Sequence, residues 1–174
     1  MAYISQVEYE KAPNEVKYLI DKQIKENGRI TNMKLTLLHS IPAYKALMEW
    51  YPLEKTIEQF LGERAVNFFC YAISTENDCL ICSVFFRKIL KDLNIDFDTF
   101  QFTQEEDILI RYGRAIVKDA NHIPAEIFDE LKEHWNEEQI VAITAFATIM
   151  IATNLINKIL QVDLDDYLKA YTKD

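Results

Sequence analysis

An uncharged segment of eighteen residues, Ile140 to Asn157, limits the folds open to this chain of 174 residues. Its length is close to the minimum that crosses a bilayer. However, three threonines and two asparagines interrupt it, and the flanking Asn136, Glu137, Glu138 and Lys158 are typical of the caps of a helix in a water-soluble protein. We therefore predict that this segment is a buried central helix or part of an oligomer interface, not a membrane span.

Helix signals recur along the rest of the chain, whereas the alternating patterns of strands are nearly absent. Pro13 can begin a helix that ends at Asn27 and Gly28, and Ser40 with Pro42 can begin another that runs to Trp50. Further helices are predicted at five places: Leu61 to Ser74, Asn77 to Leu93, from Thr103 in a capping box with Glu106, Pro124 to about His134, and Ile140 to Leu160, before a short amphipathic piece over Asp163 to Tyr171. The expected fold class is all-α, a single-domain helical bundle.

Composition narrows the class of protein further. Only three glycines and four prolines among 49% apolar residues indicate one compact, helix-rich domain. A net charge of −9 without any basic stripe argues against nucleic acid and against an anionic membrane surface as partners. Because the N-terminal residues have neither a basic start nor an apolar signal core, the expected compartment is the cytoplasm.

Two cysteines three residues apart, Cys79 and Cys82, are the candidate chemical site. Asn77 and Asp78 precede them and are good N-cap residues, so both thiols are expected in the first turn of a helix, where the helix dipole favours a thiolate. Such a pair can close a disulfide, and in a reducing compartment it is typical of redox chemistry or metal binding, not of a structural crosslink. A zinc site needs a second pair of ligands that the sequence does not offer, so neither a metal nor a bound cofactor is expected.

At these residues the chain resembles the carboxymuconolactone decarboxylase-like superfamily, and within it the alkylhydroperoxidase D type. The resemblance spans "LLHSIPAYKALMEWY", "GERAVNFFCYAISTENDCLICSVFF" and the segment from "FTQEED" to "LQVDL", about residues 37 to 164. It implies an all-helical domain over residues 35–174, preceded by an N-terminal helical extension over residues 1–34. It also implies that Cys82 attacks a peroxide, that Cys79 resolves the product to a disulfide, and that the protein is a homo-oligomer.

The chain departs from this family pattern at two positions that relay protons. Asn67 stands where the family has Glu, and Phe86 where it has His, and neither side chain exchanges protons near neutral pH. Glu63 and Tyr71 lie one turn on either side of Asn67 on the same helical stripe, and with His39 they are the candidate replacements. The alternative is that this stripe is a solvated helix face.

The sequence thus predicts a thiol-dependent antioxidant oxidoreductase that reduces hydroperoxides or exchanges disulfides and is recycled by an external dithiol or a reductant protein. The alternative is a non-catalytic or weakly active helical protein that lost the proton relay with Asn67 and Phe86. A lactone decarboxylase is a minor alternative.

Overall fold

The computed structural model describes residues 2–172, and all the regular secondary structure in that range is helical. Nine α-helices follow one another: α1 (Asn14–Asn27), α2 (Asn32–Leu37), α3 (Ile41–Met48), α4 (Trp50–Leu61), α5 (Glu63–Glu76), α6 (Leu80–Asp92), α7 (Gln104–Asp119), α8 (Ala125–His134) and α9 (Glu137–Ile159). Two short 3₁₀ helices cover Tyr9–Lys11 and Asp166–Tyr171. The predicted all-α class is confirmed.

Several helix ends lie where the sequence places its capping residues. Thr103 and Glu106 form the predicted capping box at the start of α7, and Asn136 forms a second one with Gln139 at the start of α9. Helix α1 ends at Gly28, whose φ of 72° lies in the left-handed region that a residue without Cβ adopts readily. Local side-chain chemistry therefore sets these boundaries.

Helices α2, α3 and α4 differ from the sequence prediction. The helix predicted from Ser40 to Trp50 ends at Met48, and a separate helix, α4, begins at Trp50. Pro52 lies in the first turn of α4, where its missing N–H would have had no intrahelical partner. Helix α2 was not predicted, although Thr31 accepts a hydrogen bond from the Lys34 backbone N–H and caps it.

The centre of the bundle is α5, which packs against α4, α6, α7 and α9. Its apolar side chains Phe69 and Ile73 are fully buried. Helix α7 comes closest to them at Gly113, where a Cβ would lie 2.8 Å from Phe69 Cε2 and 2.9 Å from Ile73 Cγ1. The absence of a side chain at Gly113 therefore allows the close packing of α5 and α7.

Helix α9 contains the uncharged segment and has two different faces. Ile143 and Phe146 are fully buried on the face that packs against α4 and α5. The other face is exposed, with 67% of Val141 and 65% of Ile159 accessible to solvent. Within the described residues α9 is the one helix long and apolar enough to cross a membrane, and 33% of that segment is buried inside the fold. Helix α9 is thus buried in the core along one face and exposed to solvent along the other.

Candidate functional site

The turn between α5 and α6 positions the two cysteines. The backbone N–H of Asn77 donates to Ile73 O at 2.9 Å and completes the last turn of α5. The chain then reverses at Asp78, whose φ of 51° is left-handed, a conformation that Asp tolerates better than most residues. The Cys79 backbone N–H donates to Ser74 O at 2.9 Å, which holds the turn against α5.

Helix α6 consequently begins three residues later than predicted. The prediction placed its start at Asn77 and both thiols in its first turn, but Asn77 caps the C-terminus of α5 and Cys79 is the N-cap of α6. Cys82 is the third residue of α6. The order of the two cysteines along the helix dipole is as expected, with Cys79 at the extreme N-terminus.

Both thiols are free and buried, with 2% of Cys79 and 5% of Cys82 exposed. The amide of Asn157, from α9, donates a hydrogen bond from Nδ2 to Cys82 Sγ at 3.2 Å. The next residue, Lys158, donates from Nζ to Asn77 O at 2.7 Å. Helix α9 therefore brings an amide donor and a positive charge to the cysteine turn.

The surroundings shift the pKa values of the two thiols in opposite directions. The pKa of Cys79 is lowered because the Cys82 thiol and backbone N–H and the Asn157 amide donate to its sulfur and the Lys158 charge attracts the thiolate, although burial opposes this. The pKa of Cys82 is raised because its thiol donates to Cys79 and is buried. Cys79 is therefore the thiol of the pair that ionises first.

Cys82 is one of the residues that line a cavity of about 90 Å³. Cys82 and Asn157 contribute its polar wall near α6, and Cys79 is not among its lining residues. The remaining wall is mainly aromatic and aliphatic, from Leu47, Met48, Trp50, Tyr51, Ile81, Phe85, Phe86, Met150, Tyr167 and Leu168. Cys82 is thus the thiol that a molecule in the cavity meets.

The two residues that depart from the pattern of the resembled family, Asn67 and Phe86, are both buried. Asn67 is 3% exposed and donates from Nδ2 to the Glu63 carbonyl at 2.8 Å. Phe86 is 2% exposed, and its ring centroid lies 6.2 Å from that of Trp50. The amide of Asn67 thus binds within its own helix, and the Phe86 ring is part of the cavity wall.

The three predicted proton donors have other neighbours in the structure. Glu63 is exposed at the start of α5, eleven residues before Ser74 and so about 16 Å along the helix axis from the turn that holds Cys79. The Tyr71 ring packs against Phe97, with centroids 6.0 Å apart. The imidazole of His39 lies 2.8 Å from the Ser5 carbonyl.

Within residues 2–172, none of these three donors hydrogen-bonds to a cysteine sulfur, so the geometry does not support a direct relay through them.

Sequence reasoning missed the polar residues that do reach the site. Asn154 and Asn157 lie three residues apart on α9 and share its buried face, where Ser74 Oγ donates to Asn154 Oδ1 at 3.4 Å. A sequence signal for them exists: two asparagines at helical spacing in a largely apolar segment need hydrogen-bond partners when that face of the helix is buried. Lys34 also lines the cavity, and no local pattern connects it with the cysteines.

The fold is that of the alkylhydroperoxidase D-like proteins, as the resemblance predicted. The chain matches the core of an alkylhydroperoxidase AhpD, an uncharacterized peroxidase-related protein from Ralstonia eutropha, with a TM-score of 0.74 and 16% identity over 96% of this chain and 94% of that one. It also matches the debrominase Bmp8, with a TM-score of 0.77 and 18% identity over 97% of this chain and 95% of that one.

A cysteine-to-alanine variant of Bmp8 in complex with 2,3,4-tribromopyrrole gives a TM-score of 0.76 with 18% identity, over 98% of this chain and 96% of that one. No protein-family model matches the sequence, and no curated protein matches it significantly. At these identities the likeness establishes the fold, and the function has to be argued from the site.

Proposed function

We propose that this chain is a dithiol oxidoreductase in which Cys79 and Cys82 together supply two electrons to a small substrate bound in the cavity. The observation that carries the proposal is the position of Cys82: it lies on the cavity wall, accepts a hydrogen bond from the Asn157 amide, and is three residues from the second buried cysteine, Cys79. The cytoplasm, which keeps thiols reduced, suits this chemistry.

The two thiols have complementary roles in this reaction. Cys79 has the lowered pKa, so it ionises first and then acts as the base that takes the Cys82 proton. The Cys82 thiolate then attacks the substrate in the cavity. Cys79 afterwards attacks Cys82 Sγ and closes the disulfide. One proton transfer thus moves the negative charge from Cys79 to Cys82, the sulfur that a substrate in the cavity can reach.

With a hydroperoxide, Cys82 takes the terminal oxygen and becomes a sulfenic acid while the alcohol leaves. Attack by Cys79 then forms the disulfide and releases water, so two thiols and ROOH give a disulfide, ROH and H₂O. With a disulfide substrate, the same two steps release two thiols. An external dithiol or a reductant protein restores the starting state in either case.

Reductive dehalogenation of an aromatic compound is the second candidate. It is favoured by the aromatic cavity wall, by Phe86 at the position of the relay His, and by the likeness to a debrominase. Cys82 would attack the halogen, the aromatic carbanion would take a proton, and Cys79 would displace halide from Cys82. Overall, an aryl halide and two thiols give the arene, a disulfide, a halide ion and a proton.

One experiment tests both candidates on the reduced protein. A single equivalent of cumene hydroperoxide is added in one sample and 2,3,4-tribromopyrrole in another, and the intact mass and bromide release are measured. We expect the loss of two hydrogens in at least one sample, with peptide mapping that locates the bridge between Cys79 and Cys82. Cys70→Ala is the matched control, because Cys70 is fully buried in the core and burial raises its pKa.

Free thiols in both samples would contradict the proposal and leave the non-catalytic reading of the chain. A bridge that includes Cys70 would contradict the assigned pair.

A further inference from the structure

A buried lysine shares the cavity with Cys82 but lies outside the cysteine chemistry. Lys34 is 5% exposed, and its Nζ donates to the Tyr51 hydroxyl oxygen at 2.6 Å. An ammonium group has three N–H donors, and this is the one hydrogen bond that its Nζ makes within residues 2–172. No carboxylate of the described residues lies within 4.0 Å of Nζ. A buried charge without a counterion costs free energy, and a bound anion would offset this cost.

Two further donors line the same cavity. The Tyr51 oxygen accepts from Lys34, so its own O–H proton remains available for a ligand. The Trp50 indole Nε1 is buried, and it has no hydrogen-bond partner among residues 2–172. Three residues that line one cavity therefore supply a positive charge and two donors that no described residue uses, which are the groups that bind an anion.

The other titratable groups of the region leave Lys34 as the cation of the cavity. Burial lowers the Lys34 pKa to about 8, and Glu26 and Glu54 partly offset this. Burial raises the pKa of Tyr51 to about 12 and also raises that of Tyr167, so both phenols stay neutral.

Asp165 also lines the cavity, but its carboxylate accepts the Asn32 backbone N–H at 2.9 Å, and burial raises its pKa. The other titratable group on the wall is the Cys82 thiol, which is protonated because its pKa is raised by its hydrogen bond to Cys79 and by burial. Below about pH 8, Lys34 is therefore the positively charged residue of the cavity wall that can pair with the negative charge of a ligand.

We propose that Lys34, Tyr51 and Trp50 bind the negatively charged group of a small aromatic acid, a carboxylate or a phenolate. The aromatic rings of Phe85 and Phe86 then contact the ring of the ligand, and its reducible bond lies toward Cys82. The last step rests on the proposed function, whereas the binding of the anion does not.

Calorimetric titration of the reduced protein with benzoate and with its neutral counterpart benzamide tests the site. Neither probe has redox chemistry with thiols. We expect benzoate to bind at least about tenfold more tightly than benzamide at neutral pH, the usual strength of one buried charge-assisted contact. Lys34→Met should abolish the preference, and Tyr51→Phe should weaken it. Lys45→Met is the matched control, because Lys45 is 63% exposed and paired with Glu15.

The pH dependence of the unmodified protein gives an independent measurement that needs no variant. Benzoate stays charged above about pH 5, and Lys34 loses its proton as the pH rises through about 8. Benzoate affinity should therefore be constant in weakly acidic to neutral solution and fall above about pH 8, while benzamide affinity stays flat.

Equal affinities for the two probes, no binding of benzoate, an unchanged preference in Lys34→Met or a flat benzoate profile would each overturn the proposal. Because these titrations involve no electron transfer, a negative result leaves the disulfide test of Cys79 and Cys82 unaffected.

Discussion

Cys79 and Cys82 divide two properties that a nucleophilic thiol usually combines. Cys79 has the lowered pKa, and Cys82 lines the cavity. The helix dipole favours Cys79, the more N-terminal thiol, as the thiolate, and the family resemblance favours Cys82 as the attacking residue. Both expectations fit the structure if a proton passes between the sulfurs before attack.

Replacement of each cysteine separates these roles. Cys82→Ser should abolish substrate consumption, because the remaining thiol does not line the cavity. Cys79→Ser should permit a single oxidation of Cys82 to the sulfenic acid without turnover. Stopped-flow peroxide consumption together with sulfenic acid trapping measures both. The reverse pattern would show that Cys79 is the attacking thiol.

Asn157 should control the reactivity of the pair. Asn157→Leu keeps a similar volume but removes the donor to Cys82 Sγ and to the Cys79 thiolate, so the thiol pKa should rise. We expect alkylation by iodoacetamide near neutral pH to slow by about tenfold, the effect of roughly one pKa unit. Thr148→Leu, on the exposed face of the same helix, is the control. An unchanged alkylation profile would exclude a role for this amide.

At the scale of helices, the sequence predicted several of the helix ends that local chemistry determines, although it missed α2 and misplaced the start of α6. The capping residues Thr103 and Asn136 and the terminator Gly28 act within a few residues of themselves, so their helices were predicted well. The polar part of the site depends instead on tertiary packing. Lys34 and Asn157 meet the cavity from α2 and α9, far apart in the chain, and no spacing rule links them.

A substitution at Gly113 tests how closely α5 and α7 pack. Ala is normally the better helix former, by about 1 kcal/mol, but a Cβ here would contact Phe69 and Ile73 at less than 3.0 Å, and both side chains are fully buried. Gly113→Ala should therefore destabilise the fold by about 1–3 kcal/mol, as overpacked cores do. Urea denaturation measures this, with the neighbouring exposed Arg114→Ala as control. A more stable variant would mean that α5 and α7 separate easily.

For the whole molecule, the exposed face of α9 is the notable surface. Its uncharged residues are spaced alternately four and three apart: the exposed Val141, Thr148, Leu155 and Ile159, with the half-buried Ala145 and Ala152 between them. We expect a homo-oligomer that uses this face, and light scattering should give a mass well above the 20.4 kDa of one chain. Val141→Lys with Leu155→Lys should reduce the mass to that of a monomer. A monomeric parent protein at micromolar concentration would contradict this expectation.

Stability should fall with rising pH because of Glu54. Burial, with the charges of Glu58 and Glu63, raises its pKa from the usual 4.5 to about 8. Between these values the folded chain binds the proton and the unfolded chain does not, so the free energy of unfolding decreases as pH rises. Glu54→Gln should therefore raise the melting temperature near pH 8 and change it little near pH 4. The exposed Glu133→Gln is the control, and parallel profiles would refute the assignment.

The burial of both sulfurs also determines how the oxidised protein is restored. A reductant must form a mixed disulfide at a residue that is 2% or 5% exposed, and the 3₁₀ helix Asp166–Tyr171 packs against α6 beside it. A small dithiol enters a cavity of this size more easily than the exposed cysteine of another folded protein reaches its wall. Regeneration, and not substrate attack, is then the step that the size of the electron donor controls.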